Sequence, residues 1–249
     1  MKYEIGITLA LIFTAGLLIW MIPKISFAKD GIIDLAVPLM ITEVRDICQI
    51  IAADGTTVVE SYDDFADALM AVENRQIIRL LDNIDYDSAI VIKNKSIKFD
   101  LNGYTLNIEV NYLDALVVDG GELLLDNSGG GELNVKGGIS SYGYGAHVYN
   151  GGKVTVTNAS TNGSGTGVYA TNGAKVYVCG NVRGGGTGVY ADTSAQVTID
   201  GTVTATCGEY VYITVGGVKK YQGGHELISE KNGYFEYRSA SSTVWVKDV

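Results

Sequence analysis

The sequence predicts an all-β solenoid, a stack of short coils around one shared core, and three observations predict it. One phrase is written three times: GAHVYNGGKVTV from Gly145, GVYATNGAKVYV from Gly167 and GVYADTSAQVTI from Gly188, starting about 22 and then about 21 residues apart. A fourth copy opens at Gly208 (GEYVYITV) and decays. A period near 21 with two short β segments and Gly/Asn corners per unit marks a solenoid, whose units bury their apolar faces only by stacking. Roughly four fifths of the 32 glycines fall between Gly120 and Gly224, while only two prolines occur, so the glycines punctuate repeats and build neither a Pro-rich linker nor a collagen-like array. The β segments also alternate apolar and polar residues, the period of a half-buried strand.

The elements follow in chain order. Lys2, the apolar run Ile5–Ile22 and the small-residue pattern Ser26-Phe27-Ala28 read as a secretory signal peptide cleaved after Ala28, or as an uncleaved membrane anchor over 1–28. On either reading the remainder is expected outside the cytoplasm. Residues 29–54 keep no clean period and read as a linker or irregular cap. Ser61-x-x-Asp64 resembles a capping box, and Phe65, Leu69 and Val72 follow at helical spacing, so SYDDFADALMAVE is predicted as a short amphipathic helix. The runs IIRLL (77–81), AIVI (89–92) and IKFDL (97–101) read as strands, with a turn at Asn102-Gly103.

The phrase SIKFDLNGYTL (96–106), preceded by that helix and strand pair and followed by Gly-rich repeats, resembles the opening of pectin-lyase-like right-handed parallel β-helix domains of bacterial secreted and surface proteins. The resemblance covers roughly 55–215, and the β-helix is expected over 55–216. It implies a right-handed coil with the helix plugging its N-terminal end, and the chain is expected to make about six or seven short coils. Physically, an unpaired terminal rung is an exposed edge that needs covering. Beyond Gly217, residues 217–249 read as a C-terminal cap: a hairpin about Asn232-Gly233, with Phe235, Tyr237, Val244 and Val246 covering the last coil.

Alternation assigns faces within each repeat. Val154/Val156, Val176/Val178, Val197/Ile199 and Leu123/Leu125 point inward, as do Val168/Ala170 and Val189/Ala191. Between them His147, Tyr169, Tyr190 and Tyr210 point outward, one per coil, and form the candidate binding column. Tyr177 and Tyr212 fall on other outward positions. The column has two readings: aromatic stacking that pins coil register, and a platform for sugar rings or a partner protein.

Composition narrows the function. A net charge of −10 with scattered Lys and Arg argues against nucleic acid or an anionic membrane as partner, leaving the membrane only to an uncleaved N-terminus. Lyases and hydrolases on such folds need acids and bases matched across coils. Here Asp192 aligns with Thr171 and Asp200 with Cys179, while Lys153, Lys175 and Gln196 form a solvated row. Asp192, Asp200 and Arg183 are therefore the least unlikely catalytic candidates in a chain expected to be non-enzymatic. His147 and His225 are isolated and no C-x-x-C occurs, so neither metal nor cofactor is expected. Cys48, Cys179 and Cys207 are expected as small buried side chains, with a Cys179–Cys207 bridge left open. GSGTG (163–167) and GGGTG (184–188) sit where strands follow, so they read as turns needing positive φ and not as phosphate loops. The expected function is an exported binding or adhesion module for carbohydrate or another surface component, with a polysaccharide lyase or glycoside hydrolase and a structural stalk as alternatives.

Overall fold

A computed structural model describes residues 17–21, 26–27, 33–34, 39–43, 45–138, 143–161, 163–206 and 211–248. The chain divides into two units, Met1–Asp46 and Ile47–Val249. In the first, Leu17–Met21 runs antiparallel to Leu39–Glu43, and Ser26–Phe27 to Ile33–Asp34. Most of the apolar run and the Ala28 junction lie outside the described residues. Among the described residues no helix is long and apolar enough to cross a membrane.

The second unit is a parallel β-helix with three faces, visited in the same order by each coil. The first face stacks Ile77–Leu80, Ser96–Asp100, Glu122–Asp126, Lys153–Val156, Lys175–Val178 and Gln196–Ile199. The second stacks Ile84–Tyr86, Leu106–Glu109, Leu133–Gly137, Asn158–Thr161, Val182–Gly184 and Val203–Ala205. The third stacks Ile90–Lys93, Leu116–Asp119, Tyr144–Tyr149, Thr166–Ala170, Thr187–Ala191 and Val211–Val215. Each strand runs parallel to its counterpart one coil earlier, and repeat matches repeat: Val154 pairs with Val176, Val176 with Val197, Tyr169 with Tyr190.

The inward columns form one buried core. Val154, Val176, Val197 and Val244 are all nearly inaccessible, as are Val168, Val189 and Ile213. Burying each such side chain is worth about 1.5–3 kcal/mol. Cys48 is buried and Cys179 half-buried; Cys207 lies outside the described residues.

Both ends are capped, with details that differ from the sequence reading. Ser61 does not open the helix. It lies in the strand Val58–Tyr62, antiparallel to Cys48–Ile51, which in turn pairs antiparallel with Ile77–Leu80 and starts the first face. The helix spans Phe65–Ala71, and Asp64 is its cap: its carboxylate accepts the Ala66 N–H at 2.7 Å. Phe65 enters the core edge-on against Tyr86 (5.3 Å) and Phe99 (6.0 Å), closing the first coil.

At the other end the hairpin joins Tyr234–Ser239 to Ser242–Lys247 through Ala240, at φ 51°, and not through Asn232-Gly233. Ser242–Lys247 extends the first face in parallel, placing Val244 over Val197 and Val246 over Ile199. That pairing continues two inner columns, and it decides the turn.

The corner between the third and first faces is left-handed in successive coils: Asn150-Gly151 (φ 54° and 75°), Asn172-Gly173 (52° and 76°) and Thr193-Ser194 (50° and 65°). Gly184, Gly185 and Gly186 have no positive φ, contrary to the expectation for GGGTG. They are small because backbone crowds them. A Cβ on Gly185 would lie 1.4 Å from Gly163 O and one on Gly186 2.5 Å from Ser164 O, both in the preceding coil, while one on Gly184 would lie 1.6 Å from Thr187 O across the tight corner of its own coil.

Thr193-Ser194 is the corner that lacks the Asn-Gly its neighbours carry, and a non-glycine residue in the left-handed region costs about 1–2 kcal/mol. The double replacement T193N/S194G is expected to raise unfolding stability by about 1 kcal/mol, read as a higher urea midpoint at unchanged m-value.

Candidate functional site

The outward column on the third face reads Val91, Val117, His147, Tyr169, Tyr190 and Thr214. Three of the four proposed binding residues stand in register. The rung above Tyr190 is Thr214, and the fourth residue, Tyr210, lies outside the described residues. Tyr212, expected to face outward, packs against the core, with its ring 5.6 Å from that of Tyr237.

The tyrosines stack on one another. Tyr169 and Tyr190 lie 4.6 Å apart at 5°, and Tyr144 covers the other side of Tyr169 at 4.5 Å and 18°. Near-parallel rings this close must be face to face, because side-by-side rings would stand farther apart. Both faces of Tyr169 are therefore occupied by protein, whereas Tyr190 has a stacked ring on one face only. Burial raises the Tyr190 pKa, helped by the charge of Asp192, whose carboxylate accepts the Tyr190 hydroxyl at 3.3 Å.

Asp114 joins this site from the loop before Leu116–Asp119, and Tyr144 from the first position of Tyr144–Tyr149, just ahead of the repeated phrase. Asp114 Oδ2 lies 2.8 Å from His147 Nδ1 and Oδ1 accepts the Tyr144 backbone N–H at 2.9 Å.

The catalytic candidates are not brought together. Arg183 is on the second face beside Ser160 and Thr204. Asp192 follows the third face and Asp200 the first. Asp200 accepts hydroxyls from Tyr177 and from Tyr234 of the C-terminal hairpin. Burial pushes its carboxyl upward, but those two hydroxyls with Lys247 and Lys231 outweigh it, and the net pKa is lowered. Such a carboxylate ties the cap to the last coil.

The second face carries a feature the sequence reading missed. Asp85, Asn107, Asn134 and Asn158 pair rung over rung. Asn158 Nδ2 donates to Asn134 Oδ1 (2.8 Å), Asn134 Nδ2 to Asn107 Oδ1 (3.0 Å), and Asn107 Nδ2 to Asp85 Oδ1 (2.8 Å). The ladder floors a groove of about 500 Å³, also lined by Asp87, Glu109, Lys136 and Ser160. Glu109 is paired with Lys136 at 2.6 Å. The available signal was an Asn or Asp set between two apolar residues, as in Ile84-Asp85-Tyr86, Leu106-Asn107-Ile108 and Leu133-Asn134-Val135.

No protein-family model, curated protein or solved structure matches the chain.

Each ladder asparagine donates one N–H to the rung before it, Asn134 gives its second N–H to Glu132, and the Asn158 carbonyl accepts the Asn181 backbone N–H. Asn107 and Asn158 keep a second N–H, and the carbonyls keep lone pairs, so the amides present donors and acceptors side by side among the charged groups of the groove. Hydroxyls, which both donate and accept, complement that pattern. Among the described residues no group of three His, Cys, Asp or Glu side chains is placed to hold a metal ion.

Replacing Tyr169 by Ala removes two stacked contacts at once, each worth about 0.5–1.5 kcal/mol beyond buried area. Y169A is expected to lower stability by about 1–3 kcal/mol in denaturant titration, and more than Y190A, which loses one.

Proposed function

We propose that the protein is an exported, non-enzymatic binding module, secreted or held at a cell surface, whose ligand is a carbohydrate or another hydroxyl-rich surface component. The observation that carries this reading is the Asp85–Asn107–Asn134–Asn158 ladder, a row of amide donors and acceptors ending on a carboxylate, along a preformed groove of about 500 Å³. A rigid row pre-orders its hydrogen bonds, so a linear ligand lying along the stack meets one polar step per coil, about every 4.8 Å. The N-terminal run Ile5–Ile22 supports export, as signal peptide or anchor. The resemblance of SIKFDLNGYTL to pectin-lyase-like domains of bacterial secreted and surface proteins agrees with that address. Acidic balance disfavours nucleic acid.

Binding is expected to use the groove more than the tyrosine column, because both ring faces of Tyr169, at the middle of the stack, are covered by neighbouring rings. One observation favours a second reading, hydrolysis or lyase chemistry: Asp85, Asp87 and Glu109 line the same groove.

A broad glycan array probed with the full chain separates these readings, with chain cleavage assayed on every hit. The wild type is expected to bind neutral or weakly charged glycans without cleaving them. N134A, which breaks the ladder at its middle, is expected to weaken binding about tenfold, the equivalent of 1.4 kcal/mol. Binding unchanged in N134A excludes the groove, cleavage of a bound glycan excludes the non-enzymatic reading, and an empty array leaves the stalk.

A further inference from the structure

The Asp114–His147 pair on the third face is a second polar constellation, separate from the groove. Asp114 sits at the corner before Leu116–Asp119, in the coil preceding that of His147, so their bond crosses coils. Both carboxylate oxygens are engaged: Oδ1 by the Tyr144 backbone N–H at 2.9 Å, Oδ2 by His147 Nδ1 at 2.8 Å. The backbone thus fixes the carboxylate, and the carboxylate fixes the ring. Tyr144, Tyr149 and Tyr169 wall the imidazole at centroid distances of 5.0, 4.8 and 5.2 Å. Tyr169, covered on both faces, meets it edge-on. The pair remains open to solvent, with the His147 and Asp114 side chains 25% and 22% exposed.

A carboxylate only accepts hydrogen bonds. In the neutral imidazole the proton therefore sits on Nδ1, and Nε2, the nitrogen farther from the backbone, presents its lone pair. Among the described residues no donor meets Nε2. This is the base-and-orienter half of a nucleophile–base–carboxylate arrangement. The wall around it is aromatic, so the proton that Nε2 is set to receive comes with the ligand.

We infer that Asp114 and His147 form a proton-accepting site, a tautomer-locked base that takes a hydroxyl-bearing ligand, a sugar or other polyol, through Nε2. The site does not depend on the groove reading, since the two lie on different faces and fail independently.

The test uses the full chain and its D114N variant. In D114N the new amide N–H donates to Nδ1, so the proton moves to Nε2. Nitrogen-15 NMR of His147 is expected to show bare Nε2 in the wild type and protonated Nε2 in D114N. Titration with methyl glycosides and with sorbitol is expected to shift the Nε2 resonance in the wild type only. Diethyl pyrocarbonate reads the lone pair directly: Nε2 bonds to a carbonyl carbon, the C–O bond to ethyl carbonate breaks, and that leaving group decays to carbon dioxide and, taking the imidazole proton, ethanol. D114N is expected to slow this modification of His147 by at least about tenfold, in line with the cost of a wrong tautomer. A protonated Nε2 in the neutral wild-type ring, equal modification rates, or an Nε2 resonance that neither polyol moves overturns the proposal.

Discussion

Parallel, in-register pairing of each coil with the next is the constraint on which the rest of the structure depends. It places residues of equal rank in the repeat one above another at the strand spacing, so every position becomes a column. A column of valines becomes core, as at Val154, Val176, Val197 and Val244. A column of tyrosines has to stack, because its rings are delivered at nearly the distance of an aromatic contact; Tyr169 and Tyr190 stand 4.6 Å apart. A column of asparagines has to bond to itself, as Asn107, Asn134 and Asn158 do. Where coils approach most closely, no side chain fits, and Gly185 and Gly186 follow.

Pairing of this kind leaves two open edges, and each is closed differently. At the start, Cys48–Ile51 and Val58–Tyr62 add antiparallel strands to the first face while Phe65 fills the bore. At the finish, Ser242–Lys247 adds one more parallel strand and Tyr234–Ser239 covers it. This cap buries Glu236, whose polar demand is met: Arg238 Nη2 at 2.5 Å on one oxygen, the Glu230 N–H at 2.7 Å and Trp245 Nε1 at 3.1 Å on the other.

The three clean copies made the architecture legible, because alternation within each copy and identity between copies agree. Legibility ended where coil length varied. Tyr210 and Thr214 share strand parity, and a period of two does not separate registers shifted by an even number of residues; only pairing of Val189 with Ile213 does. Asn232-Gly233 carried the stronger local turn signal, yet alignment of Val244 and Val246 with the inner columns decided the hairpin. The asparagine ladder hid behind uneven spacings of 22, 27 and 24 residues. Asp114 is a loop residue with no period at all, and its bond to His147 is visible only in three dimensions. Cap details, ladder and dyad are thus tertiary facts, whereas core and faces are written in the local sequence.

Groove, aromatic stack and histidine site all inherit their geometry from that one register, so register is the quantity to measure. In a chain with Cys179 and Cys207 changed to serine, cysteines at paired positions, K175C with Q196C, should stand about one strand spacing apart, within the 4.4–6.8 Å Cα separation that a disulfide tolerates. Cysteines at 175 and 198 occupy the same face two residues out of register. Mild oxidation followed by mass spectrometry is expected to join 175 to 196 readily and leave 175 and 198 reduced. A chain that joins 175 to 198 instead, or joins neither, contradicts the stacking from which the account is built.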